Sequence, residues 1–282
     1  MSLFVRRKSY PASFSASFGA SPLNGITTDV ASTALFARMA ATGTAVDATH
    51  QTAIDTLIKA LKSSGIWAKL DVFQMYAAQT QGHSLLNWVS SSFPATAVLA
   101  PTFTADRGFA GNGSTSYLDT GFNPTTGGLL SSLNNASFAL WHNGAAAFTY
   151  LMWIIDSPKN TEGYTQSATT VAIDINSTDA AADVFTGAVA FNGSQFGLIA
   201  GTRPDASNIF GYVNGVSRGS FARASNAIPN LNFFLGGRNI SGGIANNNTT
   251  PFSMFAYGSA LSATDQTNLN TAIRVYMTAL GN

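Results

Sequence analysis

At Ile66 the hydrophobic period of the chain changes, and this change limits the fold more than any other pattern in the sequence. From there on, short stretches rich in Val, Ile, Phe, Tyr and Trp recur at intervals of roughly 8 to 20 residues. These stretches are residues 72–77, 116–120, 137–142, 150–156, 169–175, 184–191, 197–200, 208–214, 231–236 and 252–258. Stretches of this length predict strands, and their number predicts a mainly β sandwich.

Turn signals and residue patterns refine the sandwich. The pairs Asn192-Gly193 and Asn214-Gly215 suit two-residue hairpin turns, because both residue types accept the positive φ that such turns require. The stretches 137–142 and 150–156 carry apolar side chains on both faces. We therefore expect these two strands to be central and covered on both sides.

Helices flank the sandwich. An apolar stripe predicts a first helix from an N-cap at Thr28 to Gly43, and a second stripe predicts another between Asp47 and Gly65. A capping box of Ser262 and Asp265 opens a helix over 262–280. The predicted organisation is an N-terminal arm over 1–26, a helical hairpin over 27–65 and a sandwich with a C-terminal helix over 66–282.

The arm is too short and irregular to hold a core of its own. Its aromatic and basic residues predict that it attaches the protein to a partner, or else docks on the body of the chain. The residues expected to make this attachment are Phe4, Arg6, Arg7, Tyr10, Phe14 and Phe18. A frayed terminus is the alternative interpretation.

Charge and cysteine content exclude several functions. The chain has 14 Lys and Arg against 13 Asp and Glu, a net charge of +1, and gives no basic footprint for nucleic acid. It has no Cys, which removes thiolate zinc sites, iron–sulfur clusters and cysteine nucleophiles. No apolar run is long enough to predict insertion into a membrane, and no secretory signal is visible, so release by cell lysis is one route of export.

Several motifs resemble one known family. They are residues 105–109, 111–113, 117–122, the Tyr-Val-Asn-Gly hairpin within 211–216, 234–238, 252–258 and the helix start at 261–262. In this order they resemble the concanavalin A-like (laminin-G-like) jelly-roll domains of bacteriophage and prophage virion proteins. The resemblance covers roughly residues 66–282, and it implies a jelly-roll that either binds carbohydrate or packs as a part of the particle.

The resemblance implies a structural virion protein, assembled in the host cytoplasm and released by lysis. We expect a surface appendage, such as a tail fibre, tail spike or head fibre, that binds host cell-surface polysaccharide. The alternative is a capsid decoration or cement protein that contacts only other virion subunits. The low charge and the many small polar residues predict a homo-oligomer in either case.

Catalysis is not expected, although a polysaccharide-degrading enzyme is a third hypothesis beside the appendage and the decoration protein. A glycosidase needs two carboxyl groups about 5 to 10 Å apart. The only Glu, Glu162, stands in a Pro-Lys-Asn-Thr-Glu-Gly stretch that suggests a loop. Asp156, Asp174, Asp179 and Asp183 could in principle supply a pair, but Asp is simply favoured at strand ends and turns, which is the interpretation preferred for all four.

No cofactor is expected, and the three His residues have no metal-ligand spacing. Calcium bound in rim loops is the remaining metal candidate, since Asp side chains and backbone oxygens are its usual ligands. The four candidate ligands are Asp106, Asp119, Asp174 and Asp179. Ordinary turn residues are the alternative interpretation.

Glycan binding needs an aromatic platform with planar polar groups beside it. The candidates share a place on or beside predicted strands and turns. They are Trp141, Trp153, Tyr164, Tyr212, Asn192, Asn214 and Arg238. A tryptophan in a sandwich strand is more often a core residue, and this alternative stays open for both tryptophans.

Overall fold

A computed structural model describes residues 27–143, 149–167, 170–178, 183–186 and 197–282. The helices are α1 (Val30–Ala40), α2 (Ala48–Ser63), α3 (Gln81–Ser84), α4 (Pro124–Gly127) and α5 (Ala263–Ala279), with a 3-10 turn at Trp67–Lys69. The strands are β1 (Leu70–Met75), β2 (Thr96–Val98), β3 (Thr102–Thr104), β4 (Gly108–Ala110), β5 (Tyr117–Asp119), β6 (Ala136–His142), β7 (Thr149–Asp156), β8 (Lys159–Ser167), β9 (Thr170–Thr178), β10 (Asp183–Thr186), β11 (Gly197–Arg203), β12 (Asn208–Val213), β13 (Val216–Ala222), β14 (Phe234–Leu235), β15 (Arg238–Ile240), β16 (Gly243–Ala245) and β17 (Phe252–Gly258).

The strands form two packed sheets, which confirms the mainly β sandwich. The first sheet has the order β13-β12-β11-β6-β17-β4-β3, with β1 also paired to β17. The second has the order β10-β9-β8-β7-β14-β5-β2, with β15 joining β7 and β16 joining β15. Neighbouring strands are antiparallel except β15 and β7, which run parallel.

The core between the sheets is aromatic and tightly packed. Phe138, Phe233, Phe252 and Tyr257 are buried there together with aliphatic side chains from both sheets. Gly163 in β8 lies against the Phe138 ring, and a Cβ at this position would come within 2.7 Å of that ring. The glycine therefore marks a place where the two sheets approach closely.

A layer of helices covers the outer face of the first sheet. Helices α1, α2 and α5 share one apolar cluster with Phe73, Trp141 and Tyr212 of that sheet. The predicted helical hairpin thus has a core in common with the sandwich. No helix in the described parts of the chain is long and apolar enough to cross a membrane.

Local signals set most helix ends. Helix α2 begins after Asp47 and α5 begins with the Ser262–Asp265 capping box, as predicted. Helix α1 begins one residue later than expected, because the Asp29 side chain accepts the amide of Ala31 and acts as the N-cap in place of Thr28. The Asn214-Gly215 turn is present, with φ values of 53° and 76°.

One segment predicted as a loop is a strand. Residues 159–167 form β8, which pairs with both β7 and β9. Its composition is polar, yet Asn160, Thr161 and Glu162 are all buried. The expectation that Glu162 stands in a loop is therefore wrong, and so is the expectation that Asp174 marks a strand end, because Asp174 lies within β9.

Candidate functional site

The outer face of the second sheet carries a row of aromatic and carboxyl side chains in register. Asp119 is paired with Phe234, Phe234 with Trp153, Trp153 with Glu162, and Glu162 with Asp174. Residues directly opposite each other in antiparallel strands present their side chains on the same face. The five strands β5, β14, β7, β8 and β9 thus place two aromatic rings and three carboxyl groups along one line, which we call the outer row.

Trp153 and Arg238 form the centre of the outer row. The Arg238 Cζ lies 3.6 Å from the centroid of the Trp153 ring, a close cation–π contact. The parallel pairing of β15 with β7 brings them together, because Arg238 is the register partner of Trp153. Arg238 also donates through Nη1 to Asn246 Oδ1 at 3.0 Å, which fixes the direction of the guanidinium group. This arrangement presents a flat, half-buried cation over an apolar floor.

The Asp119 end of the row combines an aromatic pair with a held carboxylate. The rings of Tyr117 and Phe234 lie 4.4 Å apart between centroids. Asn232 Nδ2 donates to both Asp119 oxygens, at 3.0 and 3.2 Å, and the amide of Gly121 donates to Oδ1 at 2.8 Å. Burial, followed by the nearby Asp119 charge, raises the pKa of Tyr117 above its usual value. Tyr117 therefore stays a neutral hydroxyl that can donate or accept.

The other end of the row pairs two carboxyl groups. Glu162 and Asp174 face each other across β8 and β9, and both side chains are fully buried. The backbone amide of Ile175 donates to Asp174 Oδ1 at 3.0 Å. Sequence spacing gave no sign of this pair, because the two residues belong to different strands.

Two of the expected glycan-binding residues, Trp153 and Arg238, lie together at the outer row. Trp141 and Tyr212 lie instead on the covered face of the first sheet, where they are 2% and 4% exposed. Trp141 Nε1 donates to Asn143 Oδ1 at 2.9 Å, and the ring has Arg274 of α5 at 5.3 Å from its centroid. This placement corrects the expectation for both residues, since neither has an open ring face on which a sugar could stack. Trp153 is itself only 9% exposed and has Arg238 over its ring, so it supports the Arg238 guanidinium and offers no open face either.

The remaining expected residues divide between a turn and parts of the chain that are not described. Asn214 occupies the β12–β13 turn of the first sheet, not the outer row, and its Oδ1 accepts the amide of Leu198 at 3.0 Å. Tyr164 lies in β8, while Asn192 falls outside the described residues. The attachment residues Phe4, Arg6, Arg7, Tyr10, Phe14 and Phe18 also fall outside them.

The four calcium candidates do not converge. Asp106 accepts from His50 Nε2 at 2.8 Å, Asp119 is held by Asn232, Asp174 lies at the far end of the outer row, and Asp179 is outside the described residues. Within the described ranges, no group of three or more His, Asp or Glu side chains could hold a metal ion.

Three members of this site had no role in the sequence-based glycan prediction: Tyr117, Phe234 and Asn232. Tyr117 and Phe234 stand in predicted strands, and alternation within those strands separates them from their inward-facing neighbours. Asp119 was considered only as a calcium ligand. Nothing in the sequence showed that β5, β14 and β7 are neighbours, so their side chains could not be combined.

Comparison with known proteins supports the fold alone. No protein-family model matches the sequence, and no curated protein matches it. Similar solved structures include the receptor-binding domain of a mosaic C/D botulinum neurotoxin (10% identity, TM-score 0.51, 73% of this chain and 51% of that one). They also include a sialidase mutant from Trypanosoma rangeli (11%, 0.50, 80% and 39%) and domain 4 of a Geobacillus stearothermophilus arabinanase in complex with arabinotriose (17%, 0.45, 72% and 98%). The chain therefore spans about half or less of the toxin and sialidase chains.

Proposed function

We propose that this protein binds carbohydrate at the Asp119 end and the centre of the outer row. The proposed site combines the partly exposed side chains of Tyr117, Asp119, Asn232 and Arg238, and the buried rings of Trp153 and Phe234 support it. The observation that carries the proposal is the strand register, which places an aromatic floor, a held carboxylate and an oriented guanidinium side by side. Asp119 and Trp153, over which Arg238 lies, are two strand spacings apart, about 10 Å. This span suits one or two sugar rings.

Each group has a part in sugar recognition. The apolar side of a pyranose ring packs on aromatic surface, and its hydroxyls need planar polar partners. Asp119 accepts hydrogen bonds from the sugar hydroxyls, while Asn232 and the amide of Gly121 hold its carboxylate oxygens in place. Arg238 donates to ring or carboxylate oxygens of the sugar. The fold likeness to a toxin receptor-binding domain and a sialidase is compatible with such a site, but at 10–11% identity it adds nothing about individual residues.

The finer proposal is a surface appendage of a phage or phage-like particle that binds host polysaccharide. It rests on the family resemblance of residues 66–282 and on the low content of charged residues, 10% of the chain. Weak single sites then suffice, because many copies on one particle raise the effective concentration. A decoration protein that contacts only virion subunits is the alternative, and it would leave the outer row without a ligand.

We propose that the chain is not an enzyme, although the Glu162–Asp174 pair supports hydrolysis as a second candidate. Two carboxyl groups in register supply the residue types that glycoside hydrolysis requires. Both side chains are fully buried, however, whereas the acid and the nucleophile must reach a glycosidic bond. Binding therefore accounts better for the geometry than catalysis does.

The first experiment measures binding to purified host surface polysaccharide by titration calorimetry. We expect dissociation constants in the millimolar to high micromolar range, which correspond to a binding free energy of about 4 to 6 kcal/mol. Tyr117→Ala should weaken binding at least fivefold with the fold intact. Equal binding by Tyr117→Ala and the original protein would overturn the assignment to the outer row.

A second experiment separates binding from hydrolysis. Incubation with the same polysaccharide should release no oligosaccharide, and Glu162→Gln should bind it as the original protein does. Release of oligosaccharides that Glu162→Gln abolishes would establish the enzymatic function instead.

Particles that lack the protein but adsorb to cells at the normal rate, and that break more easily, would favour the decoration protein.

A further inference from the structure

A long groove runs between α2 and α5 on the exposed side of the helical layer. The first turns of α2 and the last turns of α5 line one cavity of about 470 Å³. The last turns of α2 and the middle of α5 line a second cavity of about 420 Å³, and Thr56 and Val275 line both. The two helices are therefore antiparallel, and we call the two adjoining cavities the α2–α5 groove. The groove follows α2 from Ala48 to Ser64, about 24 Å of helix.

The groove is bordered by a ridge of small side chains along α2. These side chains are exposed and follow one another at helical spacing, and we call them the α2 ridge: Thr49, Thr52, Thr56 and Ser63. A further cavity of about 420 Å³ lies on the other side of the ridge, where Phe36 of α1 faces α2. The layer thus has a ridge with a depression on each side of it.

This face of the layer is close to neutral. None of the described residues that line the α2–α5 groove is charged. The charged residues of α2 beside the groove are paired within the layer, Lys59 with Asp55 at 2.6 Å and Lys62 with Asp29 at 2.5 Å. A charged partner surface would lose its water here without receiving an opposite charge. Charge therefore selects a partner whose contact surface is also neutral, as a second copy of this layer is.

Shape selects the same partner. Packed helices lie about 8 to 10 Å apart, so the α2 ridge lies about 5 Å to the side of the α2–α5 groove. A rotation by 180° about an axis parallel to the helices, midway between ridge and groove, brings the ridge of each copy into the groove of the other. Helix surfaces pack in this way, with the ridges of one in the grooves of the next. The face is therefore self-complementary, as a two-fold interface requires.

The layer is also large enough for a specific interface. Helix α5 has 17 residues, about 25 Å, and three helices side by side are about 25 to 30 Å wide. These dimensions give about 600 to 750 Å² for each copy, or about 1,200 to 1,500 Å² in total. Specific interfaces bury about 1,200 to 2,000 Å². Val275, which is 51% exposed beside the groove, would be covered in such a contact.

We infer that the helical layer is a two-fold interface between two copies of this chain, with the α2 ridge of each copy in the α2–α5 groove of the other. The two α2 helices then run parallel, and each ridge residue lies opposite the same residue of the other copy. The outer row is on the opposite side of the sandwich, so both copies keep it open. The inference does not depend on carbohydrate binding, and either can fail alone.

The first test is sedimentation equilibrium on the full-length chain. We expect a dimer with a dissociation constant in the micromolar range, which interfaces of this size reach. Val275→Lys should raise that constant at least about 100-fold, because it buries an ammonium group of each copy in a neutral contact. Leu129→Lys is the matched control, since Leu129 is 87% exposed between α4 and β6 and lines neither cavity of the groove. The control should dimerise as the original protein does.

The second test uses the absence of cysteine from the whole chain. Thr56→Cys places one thiol on the α2 ridge of each copy, and the parallel arrangement brings the two thiols together across the axis. Thr126→Cys, at an exposed threonine of α4, is the matched control. Under mild oxidation we expect disulfide-linked dimers to form at least about tenfold faster with Thr56→Cys, because a disulfide needs its two Cβ atoms about 4 Å apart.

Three results would overturn the inference: a monomer at about 100 µM protein, a dimer that a folded Val275→Lys variant keeps, or equal disulfide rates for the two cysteine variants. In the first case, the reaction of the Thr56→Cys thiol with a soluble reagent identifies what covers the groove. A protected thiol in a monomer would indicate the chain's own N-terminal residues, and a reactive thiol would leave the face to a different protein. Both outcomes exclude the dimer.

Discussion

Trp141 and Trp153 are a natural comparison, because each stands in an apolar strand and each has an arginine over its ring. Trp141 lies on the outer face of the first sheet under α5, with Arg274 at 5.3 Å from the ring centroid. Trp153 lies on the outer face of the second sheet, with Arg238 at 3.6 Å. The same pair of residue types serves packing in one place and lies beneath the proposed site in the other. What separates them is the layer of helices.

Helices α1, α2 and α5 bury the aromatic residues on the outer face of the first sheet, so a sugar cannot stack on them. Tyr276 of α5 reaches the Ala77 carbonyl with its hydroxyl at 2.8 Å and packs against Trp88. Tyr212 and Trp141 are buried in the same cluster. The outer row has only a small apolar cluster of its own, Trp153, Ile155 and Ala172, with Ile240 beside it. Function is therefore expected on the face with the smaller cluster.

The largest expected difference between the two faces is in stability. Trp141→Ala should lower the free energy of unfolding by about 3 to 5 kcal/mol, because it removes a fully packed ring from beneath α5. Trp153→Ala should cost clearly less, since its cluster is small, yet it should abolish glycan binding. Urea unfolding and calorimetry on the same two variants measure both effects. Similar unfolding energies for the two variants would remove the distinction between the faces.

A second test concerns the spacing of the two sheets. Gly163→Ala should cost about 1 to 3 kcal/mol, because its new Cβ would lie 2.7 Å from the Phe138 ring. Adding Phe138→Leu should recover part of that cost, since it removes the atoms that clash. If Gly163→Ala is as stable as the original protein by urea unfolding, the close approach of the sheets at β8 is not rigid.

The two arginines provide a third test, with a smaller effect. Arg238→Ala should weaken glycan binding about tenfold, which corresponds to about 1.4 kcal/mol. Arg274→Ala is the matched control, because it removes the same contact type from the covered face and should leave binding unchanged. Calorimetric titration checks both. Equal losses of affinity would show that the outer row is not the binding site.

Local patterns were sufficient for most of the fold. Strand runs, the Asn214-Gly215 turn and the caps at Asp47 and Ser262 are all fixed by neighbouring residues, and the structure confirms them. The predicted runs do not cover β13 or the three-residue strands β2, β3, β4, β15 and β16. Strand β8 was missed because its side chains are polar where apolar alternation was expected. Its burial comes from pairing with β7 and β9 on both sides, which local sequence does not reveal.

The site depended on long-range register and was predicted only in part. Trp153 and Arg238 were expected, but 85 residues separate them along the chain, and the parallel pairing of β15 with β7 joins them. Phe234 lies beside Trp153 through another distant pairing. Residue type alone made Trp141 and Trp153 equal candidates for glycan binding. Only Trp141 is buried beneath α5, which lies more than a hundred residues further along the chain.

The smallest expected effect tests how the covering layer is held. His50 of α2 donates at 2.8 Å through Nδ1 to the Asp47 carboxylate and through Nε2 to the Asp106 carboxylate, just before β4. Burial alone would lower the pKa of His50, but the hydrogen bonds to Asp106 and Asp47 outweigh it and raise the pKa. The pKa of Asp47 is lowered, mainly by the backbone hydrogen bond from His50, so its carboxylate stays charged at mildly acidic pH.

A raised folded-state pKa means that the protonated His50 stabilises the native state. This stabilisation is complete below the unfolded-state pKa of about 6.5 and is lost as pH rises through the folded-state value. Relative to His50→Gln, we expect the original protein to be more stable by about 1 kcal/mol at pH 5.5, with the advantage shrinking towards pH 8.5; the partial exposure of Asp47 keeps the figure modest. His142, whose pKa burial lowers to about 4, affects both proteins equally and cancels. An advantage in urea unfolding that grows with pH would show that the Asp47–His50–Asp106 contact does not hold the helical layer through its charge.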